Sequence, residues 1–212
     1  SVGDTGWWSA GVENFGSGKT TVVAGTATGG SGAGIRTFAG TNAGDITVEA
    51  GTVSGGFHGI LSTNQGIRAT SLTATGLVTG GTYGIRTSNQ TGTTGLTIRA
   101  TEVQSGGFGI TAANFGSGET TVIATGAVTG ATDVGIFAIA GPDAGGITVE
   151  AASVSGGVGG LRAISSGTGA TSITATGMVS GSDFGILAEN GQTATDVTIR
   201  AVDVQAVGNA VT

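Results

Sequence analysis

The chain has 212 residues, of which 45 are Gly, one is Pro and none is Cys, and its formal net charge is −6. This composition excludes collagen, which needs abundant Pro, and it excludes disulfides and thiolate metal sites. Seven scattered basic residues against 13 acidic ones argue against a nucleic-acid partner, and no apolar run is long enough to predict membrane insertion by this segment.

The first recurring element along the chain is a Gly-Ile or Gly-Leu step. It begins at Gly34, Gly59, Gly84, Gly109, Gly135, Gly160 and Gly185. Successive steps are 25 residues apart, except for one interval of 26, and residues 14–18 recur as residues 114–118. A period in this range is typical of solenoids, so the whole of 1–212 is predicted to form one array of about eight repeats.

The second element is a segment of alternating residues. Its first aliphatic column is Val22, Ile46, Leu72, Leu96, Val122, Ile147, Ile173 and Val197, and the next inward column two residues later is Ala24, Val48, Ala74, Ile98, Ala124, Val149, Ala175 and Ile199. The residues between and after these columns are mostly Thr, Glu and Arg. Such alternation predicts a strand with one buried face.

Two further inward columns complete each repeat. They are the Val column (Val53, Val78, Val103, Val128, Val154, Val179 and Val204) and the aliphatic residue of each Gly step. Three short strands per coil predict an all-β chain, a single-stranded right-handed parallel β-helix (β-solenoid) of about eight coils of ~25 residues; the hand follows from the general crossover rule. The Gly-rich corners, and an Asn that recurs at one bend, are expected to use positive φ angles.

The outward columns hold the candidate binding residues. They are Thr47, Glu49, Thr73, Thr75, Thr97, Arg99, Thr148, Glu150, Thr174, Thr176, Thr198 and Arg200, with Arg36, Arg86 and Arg162 as further exposed candidates. An aromatic stripe of His58, Tyr83 and Phe108 is expected to be stacked or partly exposed, and alternatively to contact a glycan or a protein partner. We expect Trp7 and Trp8 to cover the open end of the first coil.

Catalysis is not expected from these residues. Glu49 and Glu150 lie four coils apart and Arg99 lies two coils from each, so charged groups are roughly 10 Å apart and no acid–base pair can form. We expect no catalytic, cofactor-binding or metal-binding residues. Two alternatives stay open: a polysaccharide-active β-helix enzyme whose catalytic loops lie elsewhere, and an ice-binding solenoid, although charged residues interrupt its second Thr column.

The repeat pattern in residues 109–130, with Gly-Ile followed by Asn, Gly-Ser and then Thr-Val-x-Ala-Thr-Gly-x-Val-Thr-Gly, resembles bacterial autotransporter passenger domains. The resemblance spans nearly the whole chain. It implies secretion across the outer membrane, display on the bacterial cell surface, a β-helical stalk or adhesin, and a separate translocator domain. The chain is then a fragment of a longer passenger, and its expected partners are a host-surface or matrix protein, a glycan, or other copies of itself.

Overall fold

The structure is a computed structural model that describes residues 2–3 and 8–212, with side chains from residue 9 onward. In this part of the chain all regular structure is β, and no helix is present that could cross a membrane. The strands are β1 (Val2–Gly3), β2 (Trp8–Asn14), β3 (Thr20–Thr28), β4 (Ala33–Ala39), β5 (Ile46–Gly55), β6 (His58–Asn64), β7 (Thr70–Gly80), β8 (Tyr83–Asn89), β9 (Leu96–Ser105), β10 (Phe108–Asn114), β11 (Thr120–Gly130), β12 (Val134–Ala140), β13 (Ile147–Gly156), β14 (Gly159–Ser165), β15 (Thr171–Gly181), β16 (Phe184–Asn190), β17 (Val197–Ala206) and β18 (Asn209–Val211).

The strands form two parallel sheets. The odd-numbered strands make one sheet of nine strands, which we call the long-strand sheet, and the even-numbered strands make the other, which we call the short-strand sheet. Each coil contributes one strand to each sheet, and the coils stack in chain order. The prediction of an all-β parallel solenoid of about eight coils of ~25 residues is therefore confirmed.

Each coil has two strands rather than the three expected. The long strands bend in the middle, where the pairing of β7 with β9 shifts between Ala74 and Leu77, but pairing continues on both sides of the bend. Since each long strand is continuous across this point and paired on both sides of it, two of the predicted walls belong to one bent strand. The short strand supplies the remaining wall.

The interior consists of stacked aliphatic side chains from both sheets. Leu72, Leu96 and Ile173 are completely buried, and so is Ile110 of a Gly step. An added Cβ on Gly109 would lie 2.6 Å from Cγ1 of Val128 and 2.4 Å from the carbonyl oxygen of Gly135. Because the backbone of the short strand meets the Val column of the long strand at this point, only Gly fits.

Contrary to the expectation from the sequence, the corners rarely use positive φ angles. Among the described residues only Gly92, with φ of 99°, adopts such a conformation, and no Asn does. The Asn residues instead hold the bend with hydrogen bonds: Oδ1 of Asn64 accepts the N–H of Gly66 at 2.8 Å, and Nδ2 of Asn64 donates to the carbonyl of Arg68 at 3.0 Å. These contacts satisfy polar groups that the turn would otherwise leave unpaired.

Neighbouring coils are linked at this bend through buried Thr side chains. The Thr70 hydroxyl accepts a hydrogen bond from Nδ2 of Asn64 at 3.1 Å and donates one to Oδ1 of Asn89 in the next coil at 2.6 Å. The contact between copies therefore runs through Thr70 rather than directly from Asn to Asn. The expectation for Trp7 lies outside the described residues, and for Trp8 only the backbone pairing with Ala33 is described.

The stacking register differs from the predicted columns by two residues in alternate coils. Val22 pairs with Val48 rather than with Ile46, and Ala24 pairs with Ala50. The predicted column of alternating small and large residues is therefore wrong, because the small residue before the bend stacks on its counterpart in every coil. The resulting uninterrupted column is Ala24, Ala50, Ala74, Ala100, Ala124, Ala151, Ala175 and Ala201.

Candidate functional site

Two columns of side chains run along the outer face of the long-strand sheet. The first, which we call the hydroxyl column, contains only Thr and Ser: Thr21, Thr47, Ser71, Thr97, Thr121, Thr148, Ser172 and Thr198. The second, which we call the charge column, contains Val23, Glu49, Thr73, Arg99, Ile123, Glu150, Thr174 and Arg200. Both columns follow from strand alternation, which turns these residues away from the core.

The structure places all twelve predicted binding residues on this surface, exposed or half-buried. The hydroxyl column holds Thr47, Thr97, Thr148 and Thr198. The charge column holds Glu49, Thr73, Arg99, Glu150, Thr174 and Arg200. Thr75 and Thr176 lie at the bend, where the Thr75 hydroxyl donates to the carbonyl of Ala50 at 3.3 Å.

The four charged residues of the charge column have no ionic partner among the described residues. The ion pairs in that part of the chain join Lys19 to Asp45, Arg36 to Glu13 and Arg162 to Glu189. Two strand spacings of ~4.8 Å separate Glu49 from Arg99, so their backbones are about 10 Å apart. The structure thus presents exposed, unpaired charges of alternating sign, separated by uncharged residues.

Two shallow grooves lie on this face at equivalent places in the long repeat. One is formed around Glu49, Val23, Thr73 and Thr75 and has a volume of about 350 Å³. The other has a volume of about 270 Å³, and its lining includes Ile123, Glu150, Thr174 and Thr176. Each groove offers one carboxylate, the hydroxyls of two or three Thr residues and one larger aliphatic side chain, so its polar groups can form hydrogen bonds with a ligand.

The aromatic stripe is a stacked ladder of rings at the N-terminal ends of the short strands. The ring centroids of His58 and Tyr83 are 5.2 Å apart with an interplanar angle of 13°, and those of Tyr83 and Phe108 are 5.4 Å apart at 5°. Phe137 continues the ladder, 6.2 Å from Phe108. The stacked rings cover one another's faces, so the predicted stripe presents mainly ring edges to a partner.

The sequence pattern does not predict Phe137 as part of the ladder, because Val134 is the next residue of that column. Phe137 belongs to a neighbouring outward column, where it pairs with Thr111 and Arg162. Its ring nevertheless stacks on the ring of Phe108. Residue spacing alone does not reveal such a contact, since it depends on the side-chain rotamer.

His58 is held in its neutral form. Its side chain is buried among the ladder residues, with 9% of the residue exposed, and Nε2 has no hydrogen-bond partner. Burial, together with the nearby Arg86 guanidinium, lowers the pKa of His58 to about 4. Within residues 8–212 there is also no cluster of three or more His, Asp or Glu side chains that could hold a metal ion.

The cationic side chains of the short-strand sheet contact other side chains. The Arg86 guanidinium lies 4.9 Å from the centroid of the Tyr83 ring, and the Arg162 guanidinium lies 5.4 Å from that of Phe137. Arg36 pairs with Glu13. These three arginines therefore differ from Arg99 and Arg200, whose charges are unpaired within the described chain.

Comparison with known proteins found no matching family model, no similar curated protein and no similar solved structure. The resemblance to autotransporter passenger domains therefore stays a prediction from the repeat pattern.

Proposed function

We propose that this chain is a non-catalytic, secreted β-solenoid of the autotransporter-passenger type, displayed on the bacterial surface as a stalk whose long-strand face binds partners. The observation that carries the proposal is the charge column with its unpaired charges. Exposed charges that have no partner in the fold do little for stability, whereas periodic charges on a rigid surface can orient an incoming partner.

The arrangement of the carboxylates supports a binding role over catalysis. Glycoside hydrolysis by two carboxylates requires separations below about 10 Å across one substrate. Glu49 and Glu150 lie four strand spacings apart, which is about 19 Å. The two grooves around these residues repeat the same chemistry, as expected of a surface that contacts an extended glycan or protein at several points.

Binding is tested with the purified full chain on host cells, immobilised matrix proteins and a glycan array. The variant E49T/R99T/E150T/R200T replaces the charge column with Thr and should weaken binding at least tenfold. The matched control E102T/R68T changes one Glu and one Arg elsewhere and should bind like the parent chain. Equal binding by both variants, or no binding by the parent, would contradict an adhesive face.

Surface display and the lack of catalysis need separate measurements. Protease treatment of intact producing cells should remove the chain without lysis, and protection from the protease would contradict surface display. Incubation of the purified chain with acidic and neutral polysaccharides should release no new reducing ends or unsaturated products. Release of either, abolished by E49T or E150T, would instead support the enzyme alternative.

A further inference from the structure

We propose that the long-strand face binds the same face of a second copy of this chain in antiparallel orientation, with Glu49 opposite Arg200 and Arg99 opposite Glu150. The inference deepens the proposed function by naming a partner for its binding face. It rests on the stacking register and on the exposure of the four charged residues.

The order of residues in the charge column is self-complementary when it is reversed. Counted coil by coil from Val23, Glu occupies the second and sixth positions and Arg the fourth and eighth. A two-fold axis placed at the fifth position, Ile123, therefore brings every Glu opposite an Arg. The symmetry repeats each contact, so all four charges of both copies are paired.

The geometry of the sheet allows this symmetry. A two-fold axis that runs along the strand direction of β11 reverses the stacking direction and turns one face onto the other, but leaves positions along the strands unchanged. The charge column of one copy therefore faces the charge column of the other. Ile123 then meets its own symmetry mate, and Thr73 lies opposite Thr174, so the central contacts involve small or aliphatic side chains.

Other arrangements pair fewer charges. Two copies aligned in parallel at the same level place Glu opposite Glu and Arg opposite Arg. A parallel arrangement shifted by two coils pairs opposite charges but leaves the ends unmatched and does not close, which would produce open filaments. The antiparallel arrangement is the one that is both closed and fully paired.

The expected dimer is weak and sensitive to salt. Six strand spacings separate Glu49 from Arg200, the ends of the matched segment, which is roughly 29 Å, and the two columns with their flanks are about 13 Å wide. Such a contact buries about 750 Å² in total, below the range of standard stable interfaces. We expect a dissociation constant on the order of 10–100 µM in 0.05 M NaCl, and at least about fivefold weaker binding in 0.5 M NaCl.

Charge reversal tests the pairing by sedimentation velocity and light scattering of the purified chain. The variant E49R/E150R carries only Arg in the column and R99E/R200E carries only Glu, so each alone should be monomeric and an equimolar mixture should dimerise. The fully reversed variant E49R/R99E/E150R/R200E should dimerise like the parent. The control E102R lies on β9 beyond the bend, on a different wall from the charge column, and should not change the association.

Crosslinking tests the orientation, since the chain has no Cys. A short bismaleimide reagent should couple I123C to its symmetry mate at low salt, whereas V23C, which has no counterpart opposite it, should stay uncoupled. Circular dichroism is used to check that all variants fold. A monomeric parent at low salt and 0.2 mM, a mixture that fails to associate, or coupling of V23C instead of I123C would overturn the proposal.

These measurements are independent of the adhesive role, because no host ligand is present. A chain that dimerises but binds no cell, matrix protein or glycan would refute host adhesion and support self-association. A chain that stays monomeric at low salt but binds host cells, matrix proteins or glycans would refute self-association and support host adhesion.

Discussion

Substitution of Gly109 by Ala should destabilise the solenoid, because this Gly is where the two walls of a coil meet. The added Cβ would lie 2.4 Å from the carbonyl oxygen of Gly135 and 2.6 Å from Cγ1 of Val128. Ordinary van der Waals contact begins at 3.4 Å, so the coil and its neighbour must separate locally by about 1 Å. Hydrogen bonds between β10 and β12 would then stretch beyond their normal length.

The cost can be worked out from these contacts. Overpacking of a dense core costs about 1–3 kcal/mol, and each stretched backbone hydrogen bond costs about 1 kcal/mol. Ala also lowers the conformational entropy of the unfolded chain, which offsets about 0.4–1 kcal/mol of this cost. We therefore expect a net loss of about 2 kcal/mol, which for a chain of this size lowers the melting temperature by about 4–8 °C.

Thermal and urea unfolding followed by circular dichroism measure this loss. The matched control is Gly25→Ala, also in a strand, where an added Cβ has no neighbouring atom within 4 Å. This control should leave the melting temperature unchanged or raise it slightly. If Gly109→Ala melts at the same temperature as Gly25→Ala, close approach of the walls does not explain the Gly column.

Three further predictions concern the buried polar groups and the ladder. Thr70→Val removes the donor to Asn89 and should lower the free energy of unfolding in urea by about 1–3 kcal/mol. The control Thr120→Val, at the equivalent position but with an unpartnered hydroxyl, should leave that free energy unchanged. Equal losses in the two variants would contradict the link through Thr70. Burial lowers the pKa of His58 to about 4, so the unfolded chain binds more protons than the folded chain between about pH 6.5 and 4. The free energy of unfolding should therefore fall as the pH drops through this window, by at most about 1.4 kcal/mol per pH unit, and His58→Phe should remove that part of the slope. An NMR titration of His58 with a midpoint near pH 6.5 would contradict this prediction. Tyr83→Leu removes two stacked ring pairs and should lose about 1–3 kcal/mol in thermal unfolding, and a Tyr83→Phe control that loses as much would show that the hydroxyl rather than the stacking matters.

Several features of the fold could be predicted from the sequence because they depend on local pattern. The Gly steps gave the number of coils, and the alternation around Leu72 and Ile173 identified side chains that are fully buried. The outward placement of Glu49 and Arg99, two coils apart, also followed from the pattern. The nature of the corners did not, since Asn64 fixes its turn through hydrogen bonds that composition does not reveal.

The sequence by itself determined which side chains face the core, because the side-chain period of a strand is two residues. The same period explains why the sequence did not determine which residues of neighbouring coils stack on each other. A shift of two residues keeps every side chain on its face, so the alternation is equally consistent with Val22 stacked on Ile46 or on Val48. Only the tertiary structure, through the stacking of Ala24 on Ala50 at the bend, decided that neighbour relation and with it which uncharged residues lie between the charges on the outer face.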